Sequence, residues 1–424
     1  MQLFQVKALP LNKGCATIPT MTSTRGFYRP LIGALFLPNF LIALTLGIAE
    51  PVLPLYLQST GASYVLVGTV VSALAIGRLL ASLPASGVLT RFTMRRTMLF
   101  GLGIMTVALL LMGATSTIPL IFAGWLLAGA GLSLYELARH QFIAARIVNH
   151  NRGRTVAVIG GTFRLGNVIG PAVGGWVARQ AGFQAPFYLM AGLSVITATA
   201  VLLFMPRQTI PYKPFSLRAY TDELRQTFQD CRHILLVAGS GQLMMQLVRR
   251  SRSIIIPLYA ANALGLDVAA VGLVMSIGSV LDTLMFIPAG MIVDRYGRKA
   301  AIIPSLLIQA AGMFLLPLTV SFNTLTTVAA LIGFGNGISS GTMITLGADL
   351  APPRQRTPFL GLWRLSNSLG FALGPNIVGS VAAVLTLPLA SSTIGIIALL
   401  AAGLFHQFVP ETLQRQETAS PSHP

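Results

Sequence analysis

The chain has 424 residues, of which 54% are hydrophobic and only 9% charged, and its mean hydropathy is +0.74. Soluble domains carry about 25% charged residues, so a chain of soluble domains is excluded. The formal charge of +18 is neither gathered into one basic patch nor interleaved with aromatics, which argues against nucleic acid as a partner.

Residues 1–30 are polar, with Lys7, Lys13, Arg25 and Arg29 ahead of the first apolar run. They do not read as a cleaved signal, because the following run is too long and no small-residue cleavage site ends it; Met21 offers a second start. Apolar runs of about 20 residues then recur, each long enough to cross a hydrocarbon core of about 30 Å as helix. They predict spans at 31–57, 64–89, 97–114, 118–143, 155–178 and 185–205, then at 234–261, 268–292, 300–320, 324–349, 358–385 and 389–409. The long polar connection 206–233 divides an N-terminal unit, 31–205, from a C-terminal unit, 234–409, and 410–424 forms a tail. The expected fold is an all-α membrane protein with twelve transmembrane helices in two pseudo-symmetric six-helix bundles.

Basic residues mark one side of the membrane. Arg91, Arg95 and Arg96, Arg146, Arg152 and Arg154, Arg295, Arg298 and Lys299, and Arg354 and Arg356 share that side with the central connection and both termini, whereas the opposite loops hold only Arg179. Both termini are therefore expected in the cytoplasm, with the protein in the cell membrane. Cys15 and Cys231 fall on that reducing side, so no disulfide is expected. No CxxC, paired His, GxSxG or Walker pattern occurs, so neither an enzyme nor a cofactor or metal site is expected.

The halves repeat at an offset of 200 to 204 residues. Pro54-Leu55-Tyr56 returns as Pro257-Leu258-Tyr259, Arg152-Gly153-Arg154-Thr155 as Arg354-Gln355-Arg356-Thr357, and Arg164-Leu165-Gly166-Asn167 as Arg364-Leu365-Ser366-Asn367.

The string from Gly290 to Lys299, GMIVDRYGRK, resembles the loop signature of the major facilitator superfamily. Gly290 and Gly297 suit a tight turn, while Asp294 can cap a helix or pair with Arg295, Arg298 or Lys299. The alternative is a charge run that merely obeys the positive-inside rule. The first-half copy has lost the pattern, with Arg91 in place of the Asp and Met94 in place of the second Gly. Asp349, near the end of the tenth span, also lacks an acidic counterpart at 145–148. A latch of Asp294, Arg298 and Asp349 is therefore expected in the second half only.

Gly166, Gly170, Pro171, Gly174 and Gly175 in the fifth span resemble a motif of the superfamily's drug:proton antiporter branch, and Gly370, Gly374, Pro375 and Gly379 repeat part of it. Close helix packing without antiport is the other reading. The resemblance implies a central site lined by spans 1, 4, 7 and 10.

Ionisable residues inside a membrane usually face a cavity or a partner. Glu50 on span 1 is matched in depth by Arg249, Arg250 and Arg252 on span 7, which makes Glu50 the leading proton-coupling candidate, with a static ion pair as the alternative. Glu136, Arg139 and His140 lie three and four residues apart on span 4, where an intrahelical Glu136–Arg139 pair is expected and His140 is a weaker proton relay. Arg164 is expected to pair with Asp282, leaving Arg78 and Arg364 without an evident acid. Tyr135, Gln242, Met244, Met245, Gln246, Asn336, Ser339, Ser340, Thr342, Met343 and Thr345 complete the expected cavity wall, although each also suits core packing.

The expectation is a monomeric secondary transporter, multidrug-like, that exports amphipathic small molecules against protons by alternating access. An organic-anion or anionic-lipid carrier or uniporter, and a membrane sensor that transports nothing, are the alternatives. The last requires an occluded centre.

Overall fold

A computed structural model describes residues 32–146, 149–206 and 217–413. The N-terminal tail, the first part of the central connection and the last eleven residues lie outside the described residues, as do the side chains of Arg91, Arg146, Arg152 and Arg154.

The described residues are helical, without a strand. After a turn of π-helix, Ile32–Phe36, come α1 (Leu37–Ser59), α2 (Tyr64–Arg91), α3 (Met94–Ala114), α4 (Ile118–Arg146), α5 (Asn149–Ala181) and α6 (Ala185–Phe204). The second half holds α7 (Leu217–Asp230), α8 (Arg232–Asn262), α9 (Val268–Leu284), α10 (Phe286–Tyr296), α11 (Arg298–Leu315), α12 (Phe322–Ile338), α13 (Thr342–Leu350), α14 (Arg356–Val384) and α15 (Leu387–Phe408). Among the described residues, nine segments are long and apolar enough to cross a membrane, counting α9 with α10 and α12 with α13 as one each. The helices α5, α8 and α14 are as long but more polar. This order is consistent with the twelve spans read from the sequence.

Three details differ from the sequence reading. Part of the polar connection is the helix α7, whose Leu224 and buried Thr227 lie three residues apart while most of its other described residues face solvent. The eighth and tenth spans are each broken, at Met285 and at Ser339–Gly341. In the second case Gly341 takes φ +80°, which residues with a Cβ rarely adopt, so the helix ends and restarts there.

Within the first half α1 packs on α5 and α6, α2 on α4, and α3 on α4 and α6; within the second, α8 packs on α14 and α15, α9 on α12, and α11 on α12 and α15. The halves meet through α5 on α9 and α2 on α14. These contacts depend on missing side chains: Gly272 lies against the Pro171 carbonyl and Gly68 against that of Pro375, with no room for a Cβ at either. Gly175 likewise abuts Val268, and Gly379 abuts Tyr64.

Hydrogen bonds between the halves run from mid-helix toward the end carrying the short loops after Ser59 and Asn262. Gln58 Nε2 donates to Asn262 Oδ1 (2.8 Å), Asn262 Nδ2 to Tyr64 OH (3.2 Å), and Asn376 Nδ2 to Ser72 Oγ (2.7 Å).

A Cβ at Gly170 would stand 2.7 Å from Gly47 Cα of α1, whereas one at Gly103 would meet nothing within 4 Å. Gly170→Leu should therefore destabilise the protein by about 1–3 kcal/mol, as overpacking does, and Gly103→Leu should not. Thermal unfolding of both purified variants checks this, and equal melting temperatures would refute the close contact.

Candidate functional site

The breaks in the second half create polar backbone at a depth where a continuous helix leaves none. Such backbone persists inside a membrane only where protein or a wet cavity satisfies it. Here Arg249 of α8 donates to the Ser339 carbonyl (3.1 Å), which also accepts from the Thr342 amide (3.2 Å), and to Ser339 Oγ (2.6 Å). Ser339 Oγ shares a 2.6 Å hydrogen bond with Ser305 Oγ, which accepts from Gln309 Nε2 at 3.0 Å. A buried polar ladder thus fixes the guanidinium from behind.

In front of it lies a cavity of about 390 Å³ between the halves, walled by residues that include Glu50, Trp125, Arg249, Arg250, Asn336 and Phe371. A second cavity, of about 600 Å³, shares Glu50, Phe163, Asn167 and Arg252 with the first and extends past Phe286 and Ile344. The two form adjoining chambers, one rich in guanidinium groups and the other mostly apolar.

Ion pairs line both. Arg250 Nη1 is 3.2 Å from Glu50 Oε1, joining α8 to α1 of the other half, and its guanidinium sits over the Phe371 ring, 5.4 Å from the centroid. Asp282 holds two arginines, Arg164 at 3.2 Å and Arg252 at 3.3 Å, and accepts from Asn336 Nδ2 at 2.7 Å. Arg164 also bonds Ser340 Oγ and lies over the Phe286 ring.

The expected Glu136–Arg139 pair is replaced by another. Glu136 Oε2 binds Arg78 of α2 at 2.6 Å, so Arg78 does have an acid. Arg139 instead bonds Asn39 of α1, a side chain only 1% exposed that also donates to the Ile159 carbonyl at 2.7 Å. The physical reason is that neighbouring helices offered each charge a partner at closer range than its own helix did. His140 is exposed on the following turn, and Arg364 is exposed without a carboxylate partner among the described residues.

Of the predicted wall, Arg249, Arg250, Arg252, Gln246 and Asn336 line the first chamber. Tyr135, Gln242 and Met343 line neither chamber; all three are buried in helix packing, with Gln242 Nε2 donating to the Trp363 carbonyl at 3.2 Å. Gly166, Gly170 and Gly174 face α1, and Gly175 faces the start of α9, so the motif lies behind the wall. Trp125, Phe163, Phe371, Asn39 and Glu411 escaped the sequence reading. An apolar run hides an aromatic wall residue, and Glu411 follows the last span.

Glu411 reorganises the expected latch. The turn between α10 and α11 passes through Gly297 (φ +98°), and Glu411 accepts there from the Arg298 and Lys299 amides, each at 2.9 Å. Arg298 Nε donates to Asp349 Oδ2 (2.8 Å), Thr412 Oγ1 donates to the same oxygen (2.9 Å), and Lys299 Nζ donates to the His406 carbonyl (2.7 Å). Asp294 and Arg295 are exposed, Arg295 lying over its neighbour Tyr296; Asp294 has no ion pair among the described residues, because the chain turns at Gly297 and carries Arg298 away from it. A Cβ at Gly290 would meet nothing within 4 Å, so no close approach requires a glycine there. The charged groups bonded at this turn are therefore Arg298, Asp349 and Glu411, without Asp294.

Burial opposes ionisation of Glu411, but the backbone amides of Arg298, Lys299, Leu413 and Thr412 prevail and hold its carboxyl below the usual range. A depressed folded-state pKa means that the stabilisation is present above the ordinary Glu value of about 4.3 and is lost as pH falls through the depressed one. Hydrogen exchange at the Arg298 and Lys299 amides, corrected for intrinsic rates, should show protection at neutral pH that fades on acidification. Glu411→Gln should weaken that protection at neutral pH by about 0.5–2 kcal/mol, as for a lost helix cap, and flatten its pH dependence. Asp294→Asn should change neither.

The profile of the Major Facilitator Superfamily matches residues 35–236 and 238–423. An uncharacterized MFS-type transporter of Methanocaldococcus jannaschii is 22% identical over 358 residues, covering 83% of this chain and 91% of its own. Multidrug resistance protein 2 of Bacillus subtilis is 22% identical over 353 residues, covering 81% and 87%. Among solved structures, a POT family transporter bound to a thioalcohol-conjugated peptide superposes with a TM-score of 0.77 at 13% identity, covering 91% of this chain and 97% of its own. A D-xylose-proton symporter superposes at 0.65 with 20% identity, covering 91% and 98%. These solved structures share the fold, and the profile spans both helical halves, so this multi-pass membrane protein belongs to the Major Facilitator Superfamily.

Proposed function

We propose that the protein is a proton-coupled secondary transporter that exports amphipathic small molecules from the cytoplasm by alternating access, acting as a monomer in the cell membrane. The observation that carries this reading is Glu50, which lines both chambers and is held by Arg250 of the opposite half. Protonation of Glu50 cancels its charge and releases Arg250, so a proton changes the attraction between the halves at the point where solute would sit. Glu136, held by Arg78, and His140 form a secondary set farther along α4.

The positive-inside reading puts both termini and the turn at Gly297 in the cytoplasm, and the halves join near Gln58 and Asn262 at the opposite end. That combination corresponds to a state open toward the cytoplasm, where an exporter loads. Relatives named for multidrug resistance fit an export role. The two chambers weigh against a sensor with an occluded centre.

In proteoliposomes with an imposed pH gradient, a fluorescent amphiphile should accumulate against its own gradient. Glu50→Gln, which keeps a hydrogen-bonding group beside Arg250, should abolish that accumulation while binding stays within about threefold of wild type. Uphill transport by the variant, driven by pH alone, would remove Glu50 from the coupling step.

A further inference from the structure

The charges around the chambers do not balance. Five guanidinium groups stand in the two walls against the carboxylates of Glu50 and Asp282. Glu136, directly behind Arg78, brings the acids to three. Arg250 has Glu50, Arg164 and Arg252 share Asp282, and Arg78 has Glu136. Arg249 alone of the five has no carboxylate within ion-pairing distance among the described residues; its partner is neutral Ser339.

Polar atoms of residues lining the same chamber are unspent as well. The Nε of Arg249 is buried without a hydrogen-bond partner, as are the indole Nε1 of Trp125, itself only 2% exposed, and Oδ1 of Asn336. All three residues wall the same chamber. Two of these atoms are N–H donors, and a buried donor left unpaired is costly, the more so beside an uncompensated cation. An anion relieves both deficits at once, whereas a cationic solute adds a charge to an arginine-rich wall.

We propose that the solute carries an anionic head, of the carboxylate, sulfonate or phosphate-monoester class, that docks on Arg249 with the Trp125 indole N–H as a second donor. Its apolar body extends into the adjoining chamber past Phe163, Phe286 and Ile344. This rests on the transporter reading above and narrows its substrate class. An anionic lipid headgroup and a free amphiphilic anion present the same chemistry to Arg249.

The test uses the full chain in nanodiscs of zwitterionic lipid, without any gradient. Terminally brominated octanoate, octylammonium and octanol share one tail and differ in the head, and bromine quenches tryptophan fluorescence at close range. Comparison with Trp125→Phe isolates the Trp125 signal from those of Trp176 and Trp363. Bromooctanoate should quench Trp125 saturably, the ammonium should not, and acetate should neither bind nor compete. Arg249→Ala should weaken bromooctanoate binding about tenfold or more, with Arg249→Lys retaining part of it.

Should Arg249→Ala fail to give monodisperse protein, Arg249→Gln keeps a donor for Ser339 and takes its place. Repeating the titration with phosphatidic acid, whose headgroup is a phosphate monoester, in the disc separates the sources: loss of bromooctanoate binding there identifies a lipid headgroup as the occupant, and unchanged binding identifies a free anion. Equal quenching by the ammonium and the carboxylate, or wild-type binding of bromooctanoate by both neutral variants, would overturn the proposal. Uphill export of a cationic dye without anion binding would leave the transporter reading standing and remove the anion site. Arg249-dependent anion binding without any pH-driven transport would do the reverse.

Discussion

The energetic cost of keeping guanidinium groups inside a membrane protein governs this structure. Each needs a carboxylate, a carbonyl or a ring face, and the helices are arranged to supply them. Arg249 obtains its carbonyl because the tenth span breaks at Gly341; Arg250 and Arg164 reach across to or from the opposite half; Asp282 is held on one side by Arg164 and on the other by Arg252. The ion pairs between the halves follow from these requirements. Sealing is left to backbone contacts at Gly68 and Gly272, which need no charge.

Duplication is visible in atoms as well as in letters. The contacts of Gly68 with Pro375 and of Gly272 with Pro171 are one contact made twice, each residue shifted by 204 positions from its counterpart. Tyr56 donates to the Thr115 carbonyl as Tyr259 donates to that of Pro317. Packing has kept the repeat. Chemistry has not: Arg78, paired with Glu136 in the first half, corresponds to Asp282, which holds Arg164 and Arg252.

Features set by length and composition were legible in the sequence. Apolar runs and their punctuation located the helices to within a few residues, since crossing a bilayer imposes a minimum length that loops do not share. The depth match between Glu50 and the arginines of α8 was legible too, because helical rise converts sequence position into height. Lateral choice was not. Arg139 has a carboxylate three residues away on its own helix, yet it bonds Asn39, and only the placement of α1 beside α4 and α5 decides that. The break at Ser339–Gly341 was signalled by a cluster of Gly and Ser residues that also reads as tight helix packing, and Glu411 lay beyond the last apolar run.

The unequal division of charge has a consequence for how such a molecule can be assembled. The glycine faces are nearly self-complementary, so two copies of either half would present matching backbone surfaces to each other. Two second halves, however, would bring together two copies of Arg249, Arg250 and Arg252 without Glu50, and two first halves would oppose their Glu50 side chains with no arginine from α8. Like-with-like pairing is thus disfavoured by electrostatics where shape alone would allow it. Unlike halves therefore complement each other better in charge than like ones, and one continuous chain supplies them in equal number.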